Sequence, residues 1–185
     1  MGECDMEKTK IKEELISWSK MIVVALGIAY VVNNILIVNA YVPSESMEST
    51  LRVKDRLIAN RLAYLFEEPK RGDIIVFEFD QDGEEKYYVK RLSGLPGDEL
   101  VIRDSKVYVN GAVLNEPYLK ESMRPRDYGN YVVPQGYYFF LGDNRNESED
   151  SRFWGNPYIS QEALVGKVIL SYYPNFRMIK EQNDK

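Results

Sequence analysis

The sequence predicts a mainly β, antiparallel domain outside the membrane, preceded by one N-terminal transmembrane helix. Two observations predict it. The stretch 21–44 carries no charged side chain and is mostly Ile, Val, Leu and Ala. As a helix rising about 1.5 Å per residue it is roughly 36 Å long, against a bilayer hydrocarbon core of about 30 Å. Beyond it, short runs of β-branched and aromatic residues alternate with turn signals at the spacing of a sandwich or barrel, with no repeat or low-complexity stretch among them.

The elements follow in chain order. Residues 1–20 form a polar, charged tail, read as cytoplasmic. Within it and just beyond, Ile11, Leu15, Trp18 and Ile22 recur at helical spacing, so a helix leads into the apolar run. Trp18 and Lys20 suit the headgroup region. The run, taken as an anchor over 21–42, also resembles the core of a cleaved secretory signal with small residues near Ala40. It is long for such a core, and the tail before it is not distinctly basic, which favours a retained anchor. Asn33, Asn34 and Asn39 weaken its second half. Lys8, Lys10, Lys12 and Lys20 precede it and Arg52, Lys54, Arg56 and Arg61 follow, so the positive-inside rule does not set its orientation.

Residues 43–185 form the β domain. Its strands are expected at Arg56–Asn60, 73–79, 86–92, Glu99–Arg103, Lys106–Val109, 112–115, 131–133 and Tyr137–Leu141. The residues 163–173 make a last strand pair or one long bent strand. Asp82-Gly83 and Leu95-Pro96-Gly97-Asp98 mark turns, and Asn110-Gly111 is a strong two-residue hairpin signal. The stretch 99–136 reads as a small inserted subdomain. The stretch 142–156 is a polar loop, and the charged tail 180–185 is expected to fray.

Composition excludes several chemistries. The 185-residue chain has a formal net charge of −5 and no long basic run, which does not suit nucleic acid. Its one cysteine, Cys4, leaves no intrachain disulfide and no cysteine metal site. With no histidine at all, a Ser-His-Asp triad, a Cys-His pair and the usual histidine-ligated zinc sites are ruled out. No metal or cofactor is expected. A nucleophile activated near neutral pH would need Lys, Asp, Glu, Tyr or a terminal amine as its base.

Three places could carry such chemistry, and each also has a plain structural reading. On a strand, Tyr88, Lys90 and Leu92 share a face while Arg91 points to the other. An ammonium between an aromatic ring and a leucine is either laid over a solvated sheet face or desolvated, and desolvation lowers a lysine pKa. Pro43-Ser44-Glu45-Ser46-Met47 sits where the apolar run ends. Its serines either bond within their own turn, or Ser46 is a nucleophile with the Ser44 hydroxyl beside the Ser46 N–H as a two-donor oxyanion hole. The loop from Gly142 to Arg152 is either a solvated loop held by Asp–Arg pairs or a source of hydroxyls and fixed charges for a site.

Taken together, these stretches resemble the ordered boxes of bacterial type I signal peptidases, the leader peptidases. Pro43-Ser44-Glu45-Ser46-Met47 with Thr50-Leu51 is similar to their nucleophile box. Arg71-Gly72-Asp73-Ile74-Ile75-Val76-Phe77 resembles the next. Lys90-Arg91-Leu92-Ser93-Gly94-Leu95-Pro96-Gly97-Asp98 resembles the box with the general-base lysine. Gly142-Asp143-Asn144-Arg145, Ser148 and Asp150-Ser151-Arg152 match the last. The set covers residues from about 18 to 170, and the short stretch between Asp98 and Gly142 looks like the compact Gram-positive form. One departure is Ser49, where the family commonly has proline.

The resemblance implies the antiparallel β fold that signal peptidases share with LexA-type autoproteases. It also implies a membrane-anchored serine endopeptidase that removes signal peptides from preproteins outside the cytoplasmic membrane, cleaving after small residues. By it, Ser46 is the nucleophile and Lys90 the general base. The Ser44 hydroxyl and Ser46 N–H form the oxyanion hole, and Ser148 orients the lysine amine. Arg91, Asp143, Arg145, Asp150 and Arg152 support the site. Partners are then signal peptides of secretory preproteins and membrane lipid. A LexA-type autoprotease would need a DNA-binding helical domain where this chain has an anchor. An inactive peptide-binding protein would not need every catalytic group that is present.

Overall fold

The computed structural model describes residues 3–81 and 83–180. It divides into two compact units, one ending at Leu36 and the other beginning at Ile37. The first unit is a single helix, α1 (Glu3–Val31), closed by a π-helical turn over Val32–Leu36. Its portion Lys12–Leu36 is long and apolar enough to cross a membrane, with mean hydropathy 2.0.

The uncharged run is not one helix, as expected above. The helix stops at Val31, and Ile37–Tyr41 is a strand, β1. The reason lies in the pattern of its second half. Val38, Ala40 and Val42 are buried while Asn39 and Tyr41 are exposed, a period of two that buries one face of a strand. Apolar content alone does not separate a buried strand from a membrane helix, and here the alternation decides it.

The second unit is antiparallel β. Its strands are β2 (Arg56–Asn60), β3 (Ile74–Gln81), β4 (Glu84–Gly94), β5 (Glu99–Arg103), β6 (Lys106–Val109), β7 (Ala112–Val113), β8 (Gly129–Val132), β9 (Tyr137–Leu141), β10 (Ile159–Ser160), β11 (Leu164–Tyr173) and β12 (Arg177–Met178). A four-residue helix, α2 (Ala63–Phe66), which the sequence did not signal, links β2 to β3. The larger sheet runs β1-β2-β11-β3-β4-β9-β10, with β12 beside β11. The smaller runs β7-β6-β5-β8. Residues 163–173 resolve into one long strand, whose pairing with β2 shifts register between Val168 and Leu170 and again between Ser171 and Tyr173. Asn110 and Gly111 both have positive φ, as a two-residue hairpin turn requires. Of the Asp82-Gly83 turn, Asp82 lies outside the described residues. So do 181–185 of the charged tail.

Alternation along β3 and β4 sets the core. Ile74 and Val76 face one cluster with Val38, Leu57 and Val168, which Met47 and Leu51 close. Ile75, Phe77 and Leu92 face another, with Phe140, Trp154 and a partly buried Tyr88. The small sheet packs its own cluster against Phe139 and Leu141 of β9. Between β7 and β8 the chain runs as a strap, 115–124, tied to the residues around Ser46 and to the polar loop. Lys120 pairs with Glu48, Ser49 Oγ donates to the Tyr118 carbonyl at 2.9 Å, and Glu116 pairs with Arg145. Arg124 pairs with Glu147, and Asn146 Nδ2 donates to Glu121 at 2.8 Å.

Candidate active site

Ser46 lies in a single 3-10 turn, Glu45–Met47, just beyond β1. The turn is fixed from within. Buried Met47, at its end, and Leu51, just beyond it, enter the same core cluster, and Leu51 N–H donates to the Met47 carbonyl at 2.8 Å. Lys90 stands on β4 opposite Ile75, on the face it shares with Tyr88 and Leu92. The two meet: Lys90 Nζ lies 2.5 Å from Ser46 Oγ, across 44 residues of sequence. Lys90 is only 4% exposed, and its Nζ sits 5.9 Å from the centre of the Tyr88 ring. Burial is the main effect on its pKa, which falls to about 8. Asp150, Asp143 and Glu149 pull the other way, and Arg152 assists the fall.

Ser44 Oγ donates to Ser46 Oγ at 3.3 Å. The Ser46 N–H donates to no group among the described residues. The carbonyl of Ser46 accepts the Asn144 N–H at 3.0 Å, and the Glu45 carbonyl accepts Asn144 Nδ2 at 3.2 Å. Gly142 makes this approach possible. A Cβ there would stand 2.5 Å from the Ser46 carbonyl oxygen and 2.1 Å from Ser148 Oγ, so only glycine fits. The hydroxyl of Ser148 is buried and has no hydrogen-bond partner among the described residues.

The charged groups form three buried pairs. Arg91, on the face of β4 opposite Lys90, binds Asp143 with two bonds of 2.8 and 2.7 Å, and also the Gly72 carbonyl at 2.7 Å. Thr50 Oγ1 donates to the same Asp143 at 2.5 Å, so one carboxylate joins the nucleophile's turn to the lysine's strand. Arg152 binds Asp150 through Nε and Nη2, each at 2.8 Å, and Asp150 accepts the Gly142 N–H at 2.9 Å. Arg145 pairs with Glu116 of the strap and donates to the Gly142 carbonyl at 3.0 Å. Arg–carboxylate pairs with two parallel bonds fix orientation as well as distance. Gly142 is thereby held at both its N–H and its carbonyl.

A groove of about 420 Å³ opens beside the serine and lysine, walled by Tyr41, Pro43, Met47, Tyr87, Tyr88 and Val89. β4 pairs with β3 along Glu84–Arg91, but with β9 only from Arg91 to Gly94. From Lys86 to Lys90 the other edge of β4 pairs with no strand among the described residues, the kind of edge to which an extended peptide can add. The lining is mainly apolar, with Lys86, Glu147 and Glu149 as its charged members besides Lys90.

The structure thus brings Ser44, Ser46, Lys90 and the groove together, with Ser148 packed behind Gly142. Thr50, Gly142 and Asn144 fall within the motif stretches but carry no role of their own in the sequence reading, which does not single out Glu116 or Tyr118. Gly142 and Asn144 lie in the polar loop, but nothing local marks which of its groups faces Ser46. Glu116 and Tyr118 carry no motif. Tyr118 lays its ring 3.9 Å from the guanidinium of Arg91, a contact that only the fold creates. Among the described residues no group of His, Cys, Asp and Glu side chains is arranged to hold a metal ion.

Comparison with known proteins gives the chain's family. The sequence profile of the family described as "Signal peptidase, peptidase S26" matches residues 15–173. The chain is 38% identical to a probable signal peptidase I-2 of Synechocystis over 84% of its own length and 72% of that protein's. It is 36% identical to a signal peptidase I of Bacillus amyloliquefaciens over 92% of this chain and 94% of that one. It is 39% identical to signal peptidase I P of Bacillus subtilis subsp. natto over 92% and 95%.

Proposed function

From the premise that the chain belongs to the signal peptidase family, peptidase S26, we propose how its residues divide the work of a signal-peptide-cleaving serine endopeptidase. The observation that carries the reading is the 2.5 Å contact between Ser46 Oγ and a desolvated Lys90. In a chain without histidine, that lysine is the group placed to act as base.

Neutral Lys90 accepts the Ser46 hydroxyl proton as Oγ adds to the scissile carbonyl. The oxyanion of the tetrahedral intermediate accepts from the Ser46 N–H and from the Ser44 hydroxyl, which turns from Ser46 Oγ once that oxygen is bonded to carbon. Protonated Lys90 then gives its proton to the leaving amine as the C–N bond breaks. Water adds to the acyl carbonyl as Lys90 takes its proton, and Lys90 returns that proton to Ser46 Oγ as the ester C–O bond breaks and the acid product leaves. Ser148, buried and unpartnered, is available to accept from the ammonium and steer it. Asp143 and Arg91 tie the nucleophile's turn to the lysine's strand, while Asp150, Arg145 and Arg152 hold Gly142 and its loop.

The substrate's cleavage region lies extended in the groove, adding to the open edge of β4, with small residues before the bond seated in shallow apolar pockets. The apolar portion of α1 anchors the enzyme in the membrane, and the β domain works on the extracytoplasmic side. The stretch 99–136 serves as a supporting subdomain. The test is cleavage of a preprotein by the purified full chain in detergent. Ser46→Ala abolishes processing while the β domain stays folded, whereas processing near the wild-type rate would remove Ser46 from the mechanism.

A further inference from the structure

Asn144 touches both peptide units that flank the nucleophile, and it reaches them from 99 residues away in sequence. Its backbone N–H donates to the Ser46 carbonyl at 3.0 Å. Its side-chain amide donates to the Glu45 carbonyl at 3.2 Å. The second bond matters most, because the Glu45 carbonyl and the Ser46 N–H belong to one peptide unit. That unit is trans, so its oxygen and its hydrogen point to opposite sides of a rigid plane. Whatever holds the oxygen aims the hydrogen.

We propose that Asn144 is a positioning residue of the oxyanion hole: its amide, bonded to the Glu45 carbonyl, fixes the plane whose opposite end, the Ser46 N–H, receives the substrate's oxyanion. The inference rests on the reading of Ser46 as nucleophile and its N–H as donor. Three observations support it. The Ser46 N–H is uncommitted among the described residues. The Glu45 carbonyl is gripped from two sides, by Glu48 N–H at 3.0 Å within its own turn and by Asn144 from outside it. Asn144 is wholly buried, yet its Oδ1 has no partner among the described residues. A buried acceptor left unpaired costs stability, so the residue is poorly explained as packing and well explained by its donor. A carbonyl that accepts a bond also polarises the N–H of the same peptide, making it a better donor.

The test uses the full chain in detergent, with steady-state cleavage of a signal-peptide substrate across pH and thermal melting of each variant. Asn144→Ala removes the side-chain donor and keeps the backbone bond. Asn144→Asp keeps the shape and removes the donor, and it serves if the alanine variant folds poorly. The expected result is a kcat about tenfold lower per folded molecule, the worth of roughly one hydrogen bond. KM and the acidic limb of the pH profile stay where they are, and Tm is held within a few degrees. Ser44→Ala costs a larger factor in the Asn144→Ala background than in wild type, because the remaining donor is then misaimed. An unchanged kcat per folded molecule with a lowered Tm would make Asn144 a structural strut and overturn the proposal. So would a shifted acidic limb, which would place its effect on Lys90, or strictly multiplicative losses with Ser44→Ala. Ser46→Ala is run beside them: cleavage surviving there would defeat the parent reading itself, whatever Asn144 does.

Discussion

At Lys90 two demands meet, burial and a proton to be accepted. Its pKa of about 8 means that the neutral amine is a minor species at pH 7 and the major one above pH 8. The kcat/KM for a signal-peptide substrate is therefore expected to rise through a limb near pH 8 and to keep its optimum on the alkaline side. Lys90→Arg is expected to be inactive, since guanidinium does not deprotonate in proteins. Substantial activity in that variant would make Lys90 an electrostatic residue. The same shift appears in stability. The unfolded lysine keeps its proton up to about 10.4, while the folded one releases it from about 8. Between these values the unfolded state binds more protons, so wild type gains stability as pH rises across that window. Lys90→Met lacks this slope. Denaturant melts at pH 7 are expected to find it more stable than wild type by on the order of 3 kcal/mol, with the gap closing towards pH 10. Candidates of this kind were legible: the family resemblance of the motif stretches names Ser46 and Lys90, and the absence of histidine leaves few other bases. Thr50 and Asn144 lie inside those stretches, but their contacts were not legible, because the partners lie 93 and 99 residues away in sequence and no local pattern encodes them.

At the scale of elements, the polar loop works through its first residue. Gly142 leaves no room for a methyl group between Ser46 and Ser148. Gly142→Ala is expected to lower kcat by a hundredfold or more, because the nucleophile or the loop must shift, and a 1 Å misplacement is enough for such a loss. Activity within a fewfold of wild type would show the loop yields without moving Ser46. The strap 115–124 is the other constraint. Glu116→Gln leaves the buried guanidinium of Arg145 without its counter-charge, and losing one partner of such a pair costs about 3–5 kcal/mol. Urea unfolding of the variant should find that loss, and a loss below 1 kcal/mol would mean water already reaches Arg145. The strands and hairpin turns that bound these segments were largely legible, since period-two patterns and turn dipeptides are local. β1 was not separated from the helix before it, because both draw on one uncharged run and only the Val38-Ala40-Val42 alternation tells them apart.

For the whole molecule, sidedness is the open question that charge could not decide. Protease added to cells with a permeable wall is expected to digest the β domain while the membrane is intact; protection until lysis would reverse the proposed orientation. A second property follows from where β11 lies. It enters the sheet between β2 and β3, and it is the strand that joins the serine's half, β1 and β2, to the lysine's half, β3 and β4. It is also among the last strands in the chain. A chain cut after Ala163 is expected to be inactive in the preprotein assay even though Ser46, Lys90 and the loop to Arg152 are all present. The strand that closes the sheet between the two halves is thus made after both Ser46 and Lys90, and the pair cannot meet until it is in place.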